Sequence, residues 1–220
     1  MTAAPRSRRE RPAKPALSRE GIVAAAVAIL RAEGLRKVTM RRLAEELDTG
    51  PASLYVYVRN TDELHAAVLD ELLGTVGPAP AGGDWRERLE KVLIACTRML
   101  LDHPDLARSA LTARPSGPNY LRLIDTLLGL LLEGGVPRER AAWGVDLLLQ
   151  HATATAAEHA GQTPPGDWQA LERALREAPA DTHPHIAATA GSLLSGTPEA
   201  RLSWAFRALV RGIERTAVPD

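Results

Sequence analysis

Residues 39–58 read T-M-R-R-L-A-E-E-L-D-T-G-P-A-S-L-Y-V-Y-V, and the fold follows from how that stretch divides. Thr39 offers a side-chain oxygen where a helix needs a cap. Behind it Met40, Leu43, Ala44 and Leu47 fall on one face, and Arg41, Arg42, Glu45 and Glu46 on the other. D-T-G breaks the pattern. Pro51, whose missing N–H is no loss in a first turn, then starts a second short helix whose Leu54 and Val58 point back to the core. Two helices of about 20 residues in all, with a short break between them, have the dimensions of a DNA-binding helix-turn-helix. Ala44 stands where two such helices cross and only a small side chain fits, and Leu43, Leu47 and Leu54 must be buried to hold the pair. Asp48 stands at the turn position where φ is positive and glycine is usual; aspartate tolerates that conformation better than most residues.

Burying Leu54 and Val58 leaves Ala52, Ser53, Tyr55, Val56 and Tyr57 for the outer side. Small residues let a helix approach a groove, a valine can touch thymine methyls, and tyrosine hydroxyls can bond phosphates or base edges. Arg41 has the reach for a guanine. The alternative is that Tyr55 and Tyr57, two of only three tyrosines in the chain, are half-buried packing residues. At most one of the two is expected to be free.

Outward from this core the pattern stays helical. Ser18 caps a helix over 18–33 in which Ile22, Val23, Ala26, Val27, Ile29 and Leu30 recur at helical spacing up to Gly34. Asn60 with Glu63 offers a capping box for a helix over 61–76. Further helices are predicted over 85–101, 104–112, 118–134, 138–160, 168–178, 184–194 and 198–216, separated by Gly- and Pro-rich turns. No stretch alternates as a strand, so the chain is predicted all-α, with about ten helices. Residues 1–16 carry three prolines and five basic residues and should form a disordered basic arm. The expected organisation is that arm, a three-helix DNA-binding domain over 17–62, and a larger helical domain over 63–220.

The 220 residues have zero formal net charge, but residues 1–60 hold twelve Lys/Arg against six Asp/Glu and the other 160 hold fifteen against twenty-one. That asymmetry suits an N-terminal end that meets a polyanion. No apolar run is long enough for a membrane span and no signal-peptide core is visible, so a cytoplasmic protein is expected. Cys96, the single cysteine, lies in V-L-I-A-C and reads as a buried small hydrophobe. An enzyme built on a helical bundle and using the histidines is a rival reading, but no nucleophile and base stand at a recognisable spacing.

The stretches L-S-R-E-G-I-V-A-A-A-V-A-I-L-R-A-E-G-L-R-K-V-T-M-R-R-L-A-E-E-L (17–47) and P-A-S-L-Y-V-Y-V-R-N-T-D-E-L (51–64) resemble the N-terminal domain of the tetracycline-repressor (TetR) family of transcription regulators. H-P-D-L-A-R-S-A-L-T-A-R-P (103–115), W-G-V-D-L-L-L-Q-H-A-T (143–153) and W-A-F-R-A-L-V-R-G-I-E (204–214) resemble the C-terminal domain of the tetracycline-repressor type. The resemblance implies a homodimer that gives one helix-turn-helix to each half of a palindromic operator in double-stranded DNA, with the C-terminal helices forming an effector pocket and the dimer interface. It implies that Arg41, Ala52, Ser53, Val56 and Tyr57 face bases, while Thr39, Tyr55, Asn60 and Thr61 hold phosphates. Thr61 stands where the family often has lysine. The expected function is a repressor released by a small, mostly apolar organic effector; an activator or a ligand-independent regulator is the alternative.

The predicted helix over 138–160 is rich in small residues, among them Ala141, Gly144, Ala152 and Ala156, and the last helix presents Leu202, Ala205, Leu209 and Ile213 at helical spacing. Such faces allow close approach of a second copy or, alternatively, packing inside one chain. On the first of these helices His151, Thr155 and Glu158 share a stripe, but neither they nor His183 and His185 have a compact metal-ligand spacing, so no metal and no cofactor are expected. By resemblance, Ala110 and Gly77 occupy the places of the metal-binding and drug-contacting histidines of tetracycline repressors, which argues against a magnesium–tetracycline ligand. Leu123, Trp143, Leu147 and Tyr120, with Arg114, Thr126, His151 and Thr155 as polar points, are the expected pocket, and His103–Arg114 is the expected relay.

Overall fold

The structure is a computed structural model that describes residues 17–112, 115–159 and 165–219. The basic arm and Arg114 lie outside the described residues. Eleven α-helices and a single 3-10 turn, and no strand, occur among the described residues. They fall into two compact units, divided between Leu64 and His65.

The first unit begins with α1 (Arg19–Glu33), capped by Ser18, whose hydroxyl accepts from the Gly21 N–H at 3.0 Å. Gly34, at φ 86°, turns the chain into the 3-10 turn Leu35–Lys37. α2 (Met40–Glu46) follows, with the Thr39 hydroxyl accepting from the Arg42 N–H at 3.2 Å. α3 spans Pro51–Leu54, shorter than the pattern predicts. Tyr55, Val56, Tyr57 and Val58 are aromatic or β-branched and hold a helix poorly; the chain continues in turns, with Val58 N–H still bonded to the Leu54 carbonyl at 3.0 Å. The core is Ile22, Ala26, Val38, Leu43, Leu54 and Val58, all fully enclosed, with Ala44 at the crossing. Leu47, expected in that core, is only half-buried.

α4 (Thr61–Leu73) begins in this unit and runs on into the second. Its cap departs from the expected box by one residue. Asn60 Oδ1 accepts from the Glu63 N–H at 2.8 Å, but Glu63 reaches back to the N–H of Arg59, at 2.9 Å, where the box requires that of Asn60.

The second unit contains α5 (Trp85–Leu101), α6 (Pro104–Ala110), α7 (Pro118–Glu133), α8 (Arg138–His159), α9 (Pro165–Arg176), α10 (Pro184–Leu193) and α11 (Pro198–Arg215). α8 is the hub: α5, α6, α7 and α11 all pack on it. The small residues of α8 work inside the protomer. Ala141, Ala152 and Ala156 are fully buried, and a Cβ on Gly144 would stand 2.8 Å from Ile213 Cγ2 of α11. On α11 the buried residues are Phe206, Val210 and Ile213, so of the stripe predicted from sequence only Ile213 is buried; Leu202, Ala205 and Leu209 are half-buried. α9 starts three residues before its predicted beginning because Pro165 suits a first turn. α10 buries none of its ten residues.

Candidate DNA-reading face and ligand cavity

In the first unit the residues expected to meet DNA share the surface. Arg41, Ala52, Ser53, Tyr55, Val56, Tyr57 and Asn60 are exposed, Thr39 is exposed with its hydroxyl engaged as a cap, and Thr61 is half-buried. Val56 is 80% exposed. Tyr55 is 51% exposed and Tyr57 36%, so both are accessible where at most one was expected to be. Tyr55, which the resemblance assigns to a phosphate, is the more exposed of the two. This follows from burying Leu54 and Val58: every residue between them is pushed outward.

What fixes this face is the turn before it. Asp48 has φ 47°, the single positive-φ non-glycine position among the described residues, and the Thr49 N–H closes on the Ala44 carbonyl at 2.9 Å. The two arginines of α2 have different tasks. Arg42 bonds Glu33 of α1 at 2.7 Å and Glu46 at 2.8 Å. Those hydrogen bonds, the one from Glu33 first, raise the Arg42 pKa, and the same bond holds the Glu33 carboxyl below its ordinary value. Arg41 is far more exposed and, among the described residues, bonds Glu45 of its own helix, at 3.2 Å. A guanidinium held so lightly can exchange that partner for a phosphate or a guanine edge.

The second unit contains a partly open cavity of about 340 Å³, within the roughly 300–1,000 Å³ range of small-molecule sites. Leu69 and Leu73 of α4, Cys96 and Leu100 of α5, and Ala110, Leu111 and Pro115 form apolar walls; α7 adds Tyr120 and Leu123, and α8 adds Leu149, Gln150, Thr153 and Ala154. Burial pushes the Cys96 thiol up to about 12, so this cysteine serves as an apolar wall and not as a nucleophile at neutral pH.

Beside the cavity Asp70, a buried carboxylate on α4, holds the start of α7. It accepts from the Tyr120 N–H at 2.8 Å, the Asn119 N–H at 3.4 Å and Asn119 Nδ2 at 3.3 Å. A negative charge on open N–H groups at a helix N-terminus is the favoured arrangement. Any side chain at Gly117 would overlap the Asp70 carboxylate. α4 and α7 are thus pinned together where both line the cavity.

Of the residues expected in the pocket, Tyr120 and Leu123 line this cavity. Arg114 lies outside the described residues. Thr126 is half-buried and spends its hydroxyl on the Arg122 carbonyl of its own helix, at 2.8 Å. Trp143, 60% exposed, and Leu147 are on the outer surface of α8 and do not line the cavity. His151 faces α11, its ring edge-on to Phe206 with centroids 5.4 Å apart; its Nε2 is buried without a hydrogen-bond partner, and burial lowers its pKa. Thr155 is half-buried and, like His151, is absent from the lining. The two α8 stripes differ by one step of rotation. Adjacent residues on a helix differ by about 100°, so choosing the 151/155 stripe misses the 150/153 stripe that faces the cavity. Leu69/Leu73 and Cys96/Leu100 are apolar pairs four apart, but nothing in the sequence marks the space between them. Ala110 lines the cavity and Gly77 does not. Among the described residues no three His, Cys, Asp or Glu stand close enough to share a metal ion, and no helix is long and apolar enough to cross a membrane.

Residues 22–68 match the description "bacterial regulatory proteins, tetR family", and residues 77–217 match "tetracyclin repressor-like, C-terminal domain". The chain is 59% identical to the Streptomyces protein SCO7704, described as a transcription regulator, over 94% of this chain and 99% of that one, with a TM-score of 0.81. It is 37% identical to Streptomyces coelicolor ActR in complex with actinorhodin, over 90% of this chain and 96% of that one, with a TM-score of 0.79. It is also 36% identical, over 56% of this chain and 46% of the relative, to the HTH-type transcriptional repressor DrrR1 of Streptomyces coeruleorubidus. The match spans about half the length of such curated relatives. With both halves of the chain accounted for, it belongs to the tetR family of bacterial regulatory proteins.

Proposed function

We propose that the protein is a DNA-binding transcriptional regulator, a cytoplasmic repressor that leaves a palindromic operator when a small, mostly apolar organic molecule occupies the cavity of its second unit. The observation that carries this is the coexistence of an exposed Tyr55–Val56–Tyr57 face behind a turn fixed by Asp48 with a mostly apolar cavity elsewhere in the chain. The repressor name of DrrR1 and the actinorhodin complex of ActR support it. α4 supplies the link, since one helix both begins in the DNA-reading unit and lines the cavity through Leu69 and Leu73.

A palindromic operator calls for a homodimer. Trp143 and Leu147 on α8, and Trp204, 72% exposed on α11, are exposed apolar side chains that a second copy would cover. Effector binding then favours a different separation of the two DNA-reading units, and by linkage operator DNA weakens effector binding by the same factor.

The test is a binding assay, at fixed salt, with the DNA that flanks the protein's own coding region. A palindromic site should be preferred over random duplex, and Arg41→Ala and Tyr57→Phe should each weaken that preference by about 1–3 kcal/mol if the side chain reads a base. Equal binding to random duplex would exclude a sequence-specific regulator.

A further inference from the structure

The polar side chains of the cavity come from α8 and from Tyr120 of α7. α4 and α5 contribute nothing but apolar groups, whereas α8 contributes the amide of Gln150 and the hydroxyl of Thr153, three residues apart and so on one helix face. Gln150 Nε2 donates to Asp146 four residues earlier, which fixes the amide plane and leaves its carbonyl oxygen and second N–H for another partner. Gln150 is exposed and Thr153 half-buried, while Leu69, Leu73, Cys96, Leu100, Leu123 and Leu149 are buried, so the polar groups stand at the rim of an apolar interior.

We propose that Gln150 and Thr153 select the effector by a hydroxyl–carbonyl edge, and that the effector is an uncharged ring compound whose apolar body enters between α4 and α5. This rests on the cavity being the effector site. Amide and hydroxyl each both donate and accept, which complements a hydroxyl placed next to a carbonyl. A plain hydrocarbon makes no hydrogen bond to either group and gains nothing from them. A permanently charged ligand meets no opposite charge among the described lining residues and would be desolvated without compensation. Asp146 is the positioning residue, because it acts through the Gln150 amide.

The experiment is calorimetric titration of the full chain with three probes on one two-ring skeleton: ortho-hydroxyacetonaphthone, naphthalene and naphthalene sulfonate. The hydroxy ketone should bind tightest and the sulfonate not measurably. Gln150→Leu and Thr153→Val should each lower hydroxy-ketone affinity about five- to tenfold, the equivalent of one hydrogen bond, and leave naphthalene unchanged. Asp146→Ala should lower hydroxy-ketone affinity by a smaller factor. Ala154→Trp, at an exposed rim position that tolerates a large side chain, should block both neutral probes. Unchanged hydroxy-ketone affinity in both Gln150→Leu and Thr153→Val, or sulfonate binding as tight as the ketone's, overturns the polar-edge inference and leaves the cavity as a binding site. Absence of binding by every probe, or binding that survives Ala154→Trp, overturns the effector site itself and the inference with it.

Discussion

The two units are held together by different means. In the first, caps, one special backbone angle and charged clamps fix short helices around a small core: Ser18, Thr39 and Asn60 satisfy open N–H groups, Asp48 turns the chain, and Arg42 ties α1 to α2. In the second, long helices meet at points with no spare room: Gly117 against Asp70, Gly134 against Trp85, Gly144 against Ile213. The first unit follows local rules, and the second depends on contacts far apart in sequence. A reading face must survive contact with solvent and DNA while presenting apolar groups outward, whereas a ligand cavity needs walls that hold without being filled.

The difference can be tested by substitution. Phe206→Ala should have the largest effect, about 3–5 kcal/mol lost, because a fully buried aromatic leaves a void that its neighbours cannot close; urea unfolding measures it. Gly134→Ala should follow at about 1–3 kcal/mol, since its new Cβ would collide with the Trp85 ring. Equal stability in that variant would show that Trp85 is free to shift and that the close contact is not a constraint. In the first unit Thr39→Ala should cost about 0.5–2 kcal/mol through loss of the cap. Asp48→Gly should move stability the other way, by up to about 1 kcal/mol, because glycine adopts positive φ without steric penalty.

The smallest expected effect separates the units by pH. Hydrogen bonds from Arg42 and from Arg59 hold the Glu33 and Glu63 carboxyls below their ordinary 4.5, so the stability they contribute is present at neutral pH and is lost as pH falls below 4.5. Burial lowers the His151 pKa from 6.5, so its contribution is present above pH 6.5 and is lost as pH falls below that value. Melting temperatures followed from pH 7.5 downward should therefore show the second unit weakening first. His151→Gln should flatten the change below pH 6.5, and Arg42→Met the change below pH 4.5.

The same contrast explains how much was legible in the sequence. Thr39, Asp48, Pro51 and the Leu43–Leu54 pair state the helix-turn-helix within twenty residues, because caps, turns and amphipathic spacing are local chemistry. α8 was legible as a helix, but the face it turns to the cavity was not. Whether His151 or Gln150 points inward depends on where α11 places Phe206, fifty-five residues later. Small residues on α8 likewise signal close approach without saying whether the neighbour is α11 or another chain. Trp143 and Leu147 were recognised as apolar and assigned to the wrong side of their helix.

The placement of the tryptophans gives the protein an optical property. Trp143, Trp168 and Trp204 all stand largely in water, and only Trp85 is partly enclosed. Intrinsic emission therefore reports what lies against the outside of this chain more than the state of its core. A red-shifted spectrum on dilution and a blue-shifted one on concentration would turn the protein's own fluorescence into a gauge of its association, with no label attached.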